Sequence, residues 1–143
     1  MPPSDRILAA VNALPLRPGL RLLEIGCGPG VAAREVARRV LPDGFVLAID
    51  RSEKAIAIAE AGSAPEMAAG ALAFRCVSAE AFRLTPGEEP FDLAFGLRVG
   101  ALDGRHPEAG KLALARIAAA LKPGGRLFID GGDPLQELVL PRA

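Results

Sequence analysis

The chain has 143 residues, half of them hydrophobic, which is enough for a globular unit with a buried core. Seventeen basic residues balance seventeen acidic ones, and Trp and Tyr, the best stacking surfaces for unpaired bases, are absent, so nothing draws this protein toward nucleic acid. No apolar run reaches the roughly 20 residues that span a bilayer, and the N-terminal stretch lacks the apolar centre of a signal peptide, so a cytoplasmic protein without a membrane partner is expected.

Ser4 is placed to cap a first helix with Ile7, Leu8, Val11 and Leu14 on one face, and Pro15 and Pro18-Gly19 end it. Leu20 to Ile25 then reads as a buried strand, although Glu24 lies inside it. A carboxylate there is costly unless something satisfies it. Gly26, Gly28 and Gly30 follow at alternate positions. Such density costs backbone entropy unless the chain turns sharply or a ligand approaches the main chain. Cys27 sits among them. Without CxxC spacing, Cys27 and Cys76 read as reduced small hydrophobes, and no metal site is expected.

From Val31 a helical pattern runs to the LPDG stop, and FVLAID, Phe45 to Asp50, is a second apolar strand that ends in an acid. Ser52 caps a third helix, and a short helical turn is expected in the Pro-interrupted stretch from Gly62 to Gly70. Leu72 to Val77 is strand three, Thr85 to Pro90 a loop, and FDLAFGLRV strand four. Pro107 opens a helix with Leu114, Ile117, Ala118 and Leu121 as its buried stripe; KPGG closes it and RLFID is strand five. Near-continuous apolar strands alternating with helices predict an open, doubly wound α/β fold, a mostly parallel sheet of about five strands with helices on both faces. We expect a single domain over residues 1–143.

In such sheets a ligand sits beyond the carboxyl ends of the strands, where the strand order reverses. The glycine loop lies there, and Asp50, twenty residues after Gly30, can accept hydrogen bonds from both ribose hydroxyls of a nucleoside. A dinucleotide would want G-x-G-x-x-G facing a pyrophosphate. Here the spacing is G-x-G-x-G, Val31 takes the third dinucleotide position, and Glu24 suits a cation better than a phosphate.

The run from Glu24 to Gly30, an acid, any residue, then G-x-G-x-G, resembles the first motif of the class I S-adenosylmethionine-dependent methyltransferases. The resemblance extends from about Leu20 to Asp130 and implies a Rossmann-like fold, S-adenosyl-L-methionine as cofactor, and methyl transfer to a small soluble substrate. It places Glu24 near the methionine end of the cofactor, with Gly26, Cys27, Gly28 and Gly30 as the loop beneath it. Asp50 becomes the ribose acid and Arg51 lies beside the adenine. VSAEAF resembles the adenine segment, with Ser78 where the family commonly has Asp. Ser78 or Glu80 then takes the adenine amino group while the main chain at Ala79 meets the ring. FDLAFGLRV resembles the fourth motif, and Gly96 completes the cofactor set.

The acceptor side is less legible. Gly96, Leu97, Arg98, Asp103, Arg105 and His106 follow strand four, and the Asn/Asp-Pro-Pro-aromatic run of DNA and protein-amide methyltransferases is missing. Arg98 could hold an anionic substrate, but a surface arginine is the simpler reading. His106 has the right intrinsic pKa for a base, yet at a helix start it reads as a solvated side chain. No catalytic residue is assigned. Family members usually continue past strand five into a helix and a hairpin, whereas GGDPLQELVLPRA is all that follows Asp130. The outer edge of strand five is therefore expected to need cover from this tail or from a partner, such as a second copy. Two other readings stand beside an enzyme: a non-catalytic S-adenosylmethionine-binding module acting with a partner, and a nicotinamide-dependent dehydrogenase. The glycine spacing disfavours the dehydrogenase, and the lack of Tyr removes the Tyr-Lys relay of its short-chain type. Fourteen arginines against three lysines suggest a bacterial source.

Overall fold

The computed structural model describes residues 2–141. Helix α1 spans Asp5–Ala13, and the Ser4 hydroxyl accepts the Ile7 N–H at 3.2 Å, the expected cap. Strand β1 (Arg21–Ile25) leads through the glycine loop into α2 (Val31–Arg39) and then β2 (Phe45–Asp50). The Ser52 hydroxyl caps α3 (Glu53–Ala61) by accepting the Ala55 N–H. A one-turn helix, α4 (Ala64–Ala68), precedes β3 (Leu72–Cys76), and a 3₁₀ turn at Ala79–Ala81 lies on the way to β4 (Phe91–Gly96). Pro107 is the first residue of α5 (Pro107–Ala120), where its missing N–H costs nothing.

The sheet order is β3-β2-β1-β4-β5-β6. Strands β1 to β5 are parallel, and the order reverses between β1 and β4. Alternation along β1 feeds two cores: Leu22 joins Val36, Val40 and Val46 under α1 and α2, while Leu23 and Ile25 join Ile49, Phe91 and Ile117 under α5. Burial of both sheet faces explains why these strands carry almost no polar residues.

Two details differ from the sequence reading. Strand β5 spans Leu121–Asp130, so KPGG lies within it rather than before it. The pairing slips there, from Phe91 opposite Leu121 to Leu93 opposite Arg126, and Gly124 at φ +82° makes the bulge possible. The sheet also has six strands instead of about five. The tail doubles back and β6 (Leu135–Leu138) pairs antiparallel with Leu127–Asp130 of β5. The chain's own tail thus covers the edge for which a partner had been the alternative. Among the described residues no helix is long and apolar enough to cross a membrane.

Candidate functional site

Beyond the carboxyl ends of β1, β2, β3 and β4 lies a cavity of about 550 Å³. It sits at the switch point of the sheet, where the strands on either side diverge and leave their loops unpacked against each other. Of the residues singled out in the sequence, Gly26, Asp50, Arg51, Ser78, Ala79 and Glu80 line it together. They come from three different loops, and the parallel register brings them to one end of the sheet. Arg98, Arg105 and His106 line the same cavity from the loop between β4 and α5.

The glycine loop is held by its own backbone. Cys27 donates its N–H to Ile49 O at 2.9 Å, and Gly30 donates to Cys27 O at 3.0 Å. The Asp50 carboxylate joins loop to strand: Oδ2 accepts the Gly28 N–H and Oδ1 the Ser52 N–H, each at 2.9 Å. Each carboxylate oxygen has a second lone pair, so Asp50 can still accept from a ligand hydroxyl. Asp50 therefore serves as the strand-end cap and keeps acceptor capacity beside the cavity.

Glycine is required at Gly26 for two reasons. Its φ is +68°, and an added Cβ would lie 2.9 Å from Val99 Cγ2. Gly30 (φ +86°) faces Arg34, Ala59 and Phe74 instead, which makes it a packing position at the start of α2. Glu24, Cys27, Gly28, Gly30 and Gly96 do not line the cavity; Glu24 is buried in β1 behind Ile25 and Gly26, and Gly96 is covered by Val99 and Leu102. Val99 is a site residue that sequence reading missed, since an apolar residue after a strand carries no motif. Asp130 was also missed: its Oδ1 accepts the Arg98 N–H at 3.0 Å from across β4 and β5.

Glu24 is the exceptional group. It is 2% exposed and sits in β1 between Ala48 of β2 and Phe95 of β4, both fully buried. Its Oε1 has no hydrogen-bond partner. Burial pushes the carboxyl up to about 8, and the nearby Asp50 carboxylate adds to the shift. Burial, Glu24 and Asp50 also push the Cys27 thiol far above the usual thiol range, which disfavours a thiolate there. Among the described residues no group of side chains is arranged to hold a metal ion.

A doubly wound sheet, a backbone-built glycine loop and an acid at the tip of β2 define a nucleoside-binding protein of the Rossmann-like type. Comparison with known proteins narrows this. Residues 22–125 match the family model described as a methyltransferase domain, and the chain belongs to that family. It is 33% identical over 139 residues to nocamycin O-methyltransferase of Saccharothrix syringae, covering 93% of this chain and 44% of that protein. Identity to the ubiquinone biosynthesis O-methyltransferase of Rhizobium etli is 35% over 119 residues, 82% of this chain and 43% of that one. The chain thus spans less than half the length of these curated relatives.

Among solved structures, phosphoethanolamine N-methyltransferase 2 of Haemonchus contortus in complex with S-adenosyl-L-methionine superposes with a TM-score of 0.69 at 27% identity, covering 87% of this chain and 27% of that one. The [4+2]-cyclase SpnF superposes with a TM-score of 0.67 at 29% identity, covering 87% and 42%.

Proposed function

We propose that this chain is a cytoplasmic bacterial domain that binds S-adenosylmethionine and transfers its methyl group to a small-molecule acceptor. The observation that carries this is Glu24, a buried carboxyl with an orphaned oxygen beside the glycine loop. Burial holds Glu24 protonated, and a cation beside it would offset the cost of ionising it; a sulfonium-ammonium ligand supplies that cation, whereas a dinucleotide's pyrophosphate would hold the proton on more tightly. In this reading Asp50 accepts from the ribose hydroxyls, and Ser78, Glu80 and the main chain at Ala79 meet the adenine with Arg51 beside it. Gly26 lets the ligand approach the backbone, with Glu24 behind it. Cys27, Gly28 and Gly30 hold the loop's shape, and Gly96 floors the site under Val99.

The cofactor supplies an activated methyl on sulfur, and the protein aligns the acceptor and excludes water. S-adenosylmethionine and S-adenosylhomocysteine should each raise the melting temperature, because a ligand specific for the folded state must. NAD should not. Equal stabilisation by NAD, or none by either adenosyl compound, removes the cofactor assignment. The cyclase built on this fold supports a second reading, binding without methyl transfer, which transfer of a labelled methyl to any acceptor eliminates.

A further inference from the structure

We propose that the methyl acceptor carries an anionic group, a carboxylate or a phosphate, held by Arg98 at the end of β4. This rests on the cofactor reading above, which accounts for the cavity's acids and its adenine side and leaves Arg98, Arg105 and His106 unexplained. These three line the cavity from the loop between β4 and α5, away from the β2 and β3 loops that carry Asp50, Ser78 and Glu80.

Arg98 is the key residue for three reasons. Its backbone adopts φ +57°, a left-handed conformation that costs a non-glycine residue free energy. The fold secures that conformation with the Asp130 carboxylate, which accepts the Arg98 N–H at 3.0 Å. Arg98 is exposed, as a surface arginine is expected to be, but its pinned backbone gives the side chain a fixed origin at the cavity wall. Second, the Arg98 guanidinium makes no hydrogen bond or ion pair with any described residue. Arg105, by contrast, is taken up by Asp103, its Nε lying 3.0 and 2.9 Å from the two carboxylate oxygens, so it supplies structure more than free charge. Third, His106 packs on the same loop: an added Cβ on Gly100 would be 2.8 Å from His106 Cδ2, so the glycine is what lets the imidazole approach the loop. The acids of the cavity, Asp50 and Glu80, come from the β2 and β3 loops, alongside Arg51, whereas the loop after β4 lines the cavity with no acid. An unpaired, solvent-exposed guanidinium on a residue that lines the cavity is a donor fork for a carboxylate or a phosphate.

The test uses the protein saturated with S-adenosylhomocysteine, with inorganic phosphate as the probe and sodium chloride as the ionic-strength control. His106 is the sole histidine of the chain, so its imidazole proton–carbon signals report on this wall without assignment. Phosphate should shift them saturably where chloride does not. Arg98→Ala should weaken that binding by about tenfold or more, the usual worth of a charge-assisted contact, and Arg98→Lys should restore most of it. Affinity for S-adenosylhomocysteine should be the same in all three proteins. A phosphate response absent from the loaded protein, or unchanged in Arg98→Ala, overturns the proposal. So does phosphate binding with 5′-methylthioadenosine bound that S-adenosylhomocysteine blocks, since Arg98 would then hold the cofactor's own carboxylate. If S-adenosylhomocysteine produces no melting shift, the cofactor reading fails separately, and phosphate titration of the free protein still decides whether Arg98 is an anion site.

Discussion

Replacing Glu24 by glutamine should change how stability responds to pH. In the folded protein the Glu24 carboxyl is buried and raised to about 8, against an ordinary value of 4.5 in the unfolded chain. Between these values the folded state keeps a proton that the unfolded state has released. The contribution of Glu24 to stability is therefore fully present below pH 4.5 and is lost as pH rises toward 8, after which both states are ionised and the trend stops. The slope is about 1.4 kcal/mol per pH unit, so roughly 4 kcal/mol is lost between pH 5 and pH 8. For a chain of this size that corresponds to about 10 °C in melting temperature. Glu24→Gln keeps the shape and removes the titration. Its amide adds a cost or gain that does not vary with pH, and the remaining groups cancel in the comparison. The variant should track the parent at pH 5, apart from that fixed offset, and exceed it by a margin that widens to about 4 kcal/mol at pH 8. Urea midpoints at half-unit steps from pH 5 to 8.5 measure this. Parallel curves would falsify the assignment of a buried, protonated Glu24.

Asp50→Ala should lower stability by about 1–3 kcal/mol, because two main-chain N–H groups lose a charged acceptor, and weaken S-adenosylhomocysteine binding by a similar amount; chemical denaturation and calorimetry separate the two effects, and unchanged affinity clears Asp50 of the ribose role. Gly26→Ala should cost about 1–3 kcal/mol and impair binding, and adding Val99→Ala should recover part of both by removing the 2.9 Å clash while the left-handed φ remains; failure of any recovery means Val99 does not press on the loop. Of the two thiols, exposed Cys76 should react quickly with iodoacetamide at pH 8, while Cys27, buried and with its thiol pushed far up, should react only on unfolding; peptide mass mapping over time decides this.

The glycine-loop half of the cavity is readable in the sequence because the backbone builds it, and backbone geometry leaves marks in residue type. A left-handed φ at Gly26, Gly28 and Gly30 writes glycine, and a strand-end acceptor for loop amides writes Asp50. The caps at Ser4 and Ser52 and the Pro107 helix start were legible for the same reason. What was missed depends on tertiary placement. Nothing in GGDPLQELVLPRA states that it will turn back onto β5, since four residues of weak alternation define no strand until an edge is there to pair with. KPGG reads as a helix stop and is also a bulge, and only the slip in the β4–β5 pairing shows it.

The acceptor wall was opaque for a further reason. Its residues share no spacing rule; they meet because β5 delivers Asp130 to the start of the loop after β4. The hydrogen bonds that shape the glycine loop run from β1 to β2 and do not pass through residues 97–106, and Val99 packs over Gly26. Helix α5 also packs on the 3₁₀ turn at Ala79–Ala81, where Arg116 donates to Glu80 O at 3.2 Å, but the Arg98 side chain takes no part in these contacts. Substitution at Arg98 should therefore redirect acceptor choice while cofactor affinity stays fixed, whereas Val99 is the position at which a change on the acceptor wall reaches the cofactor loop.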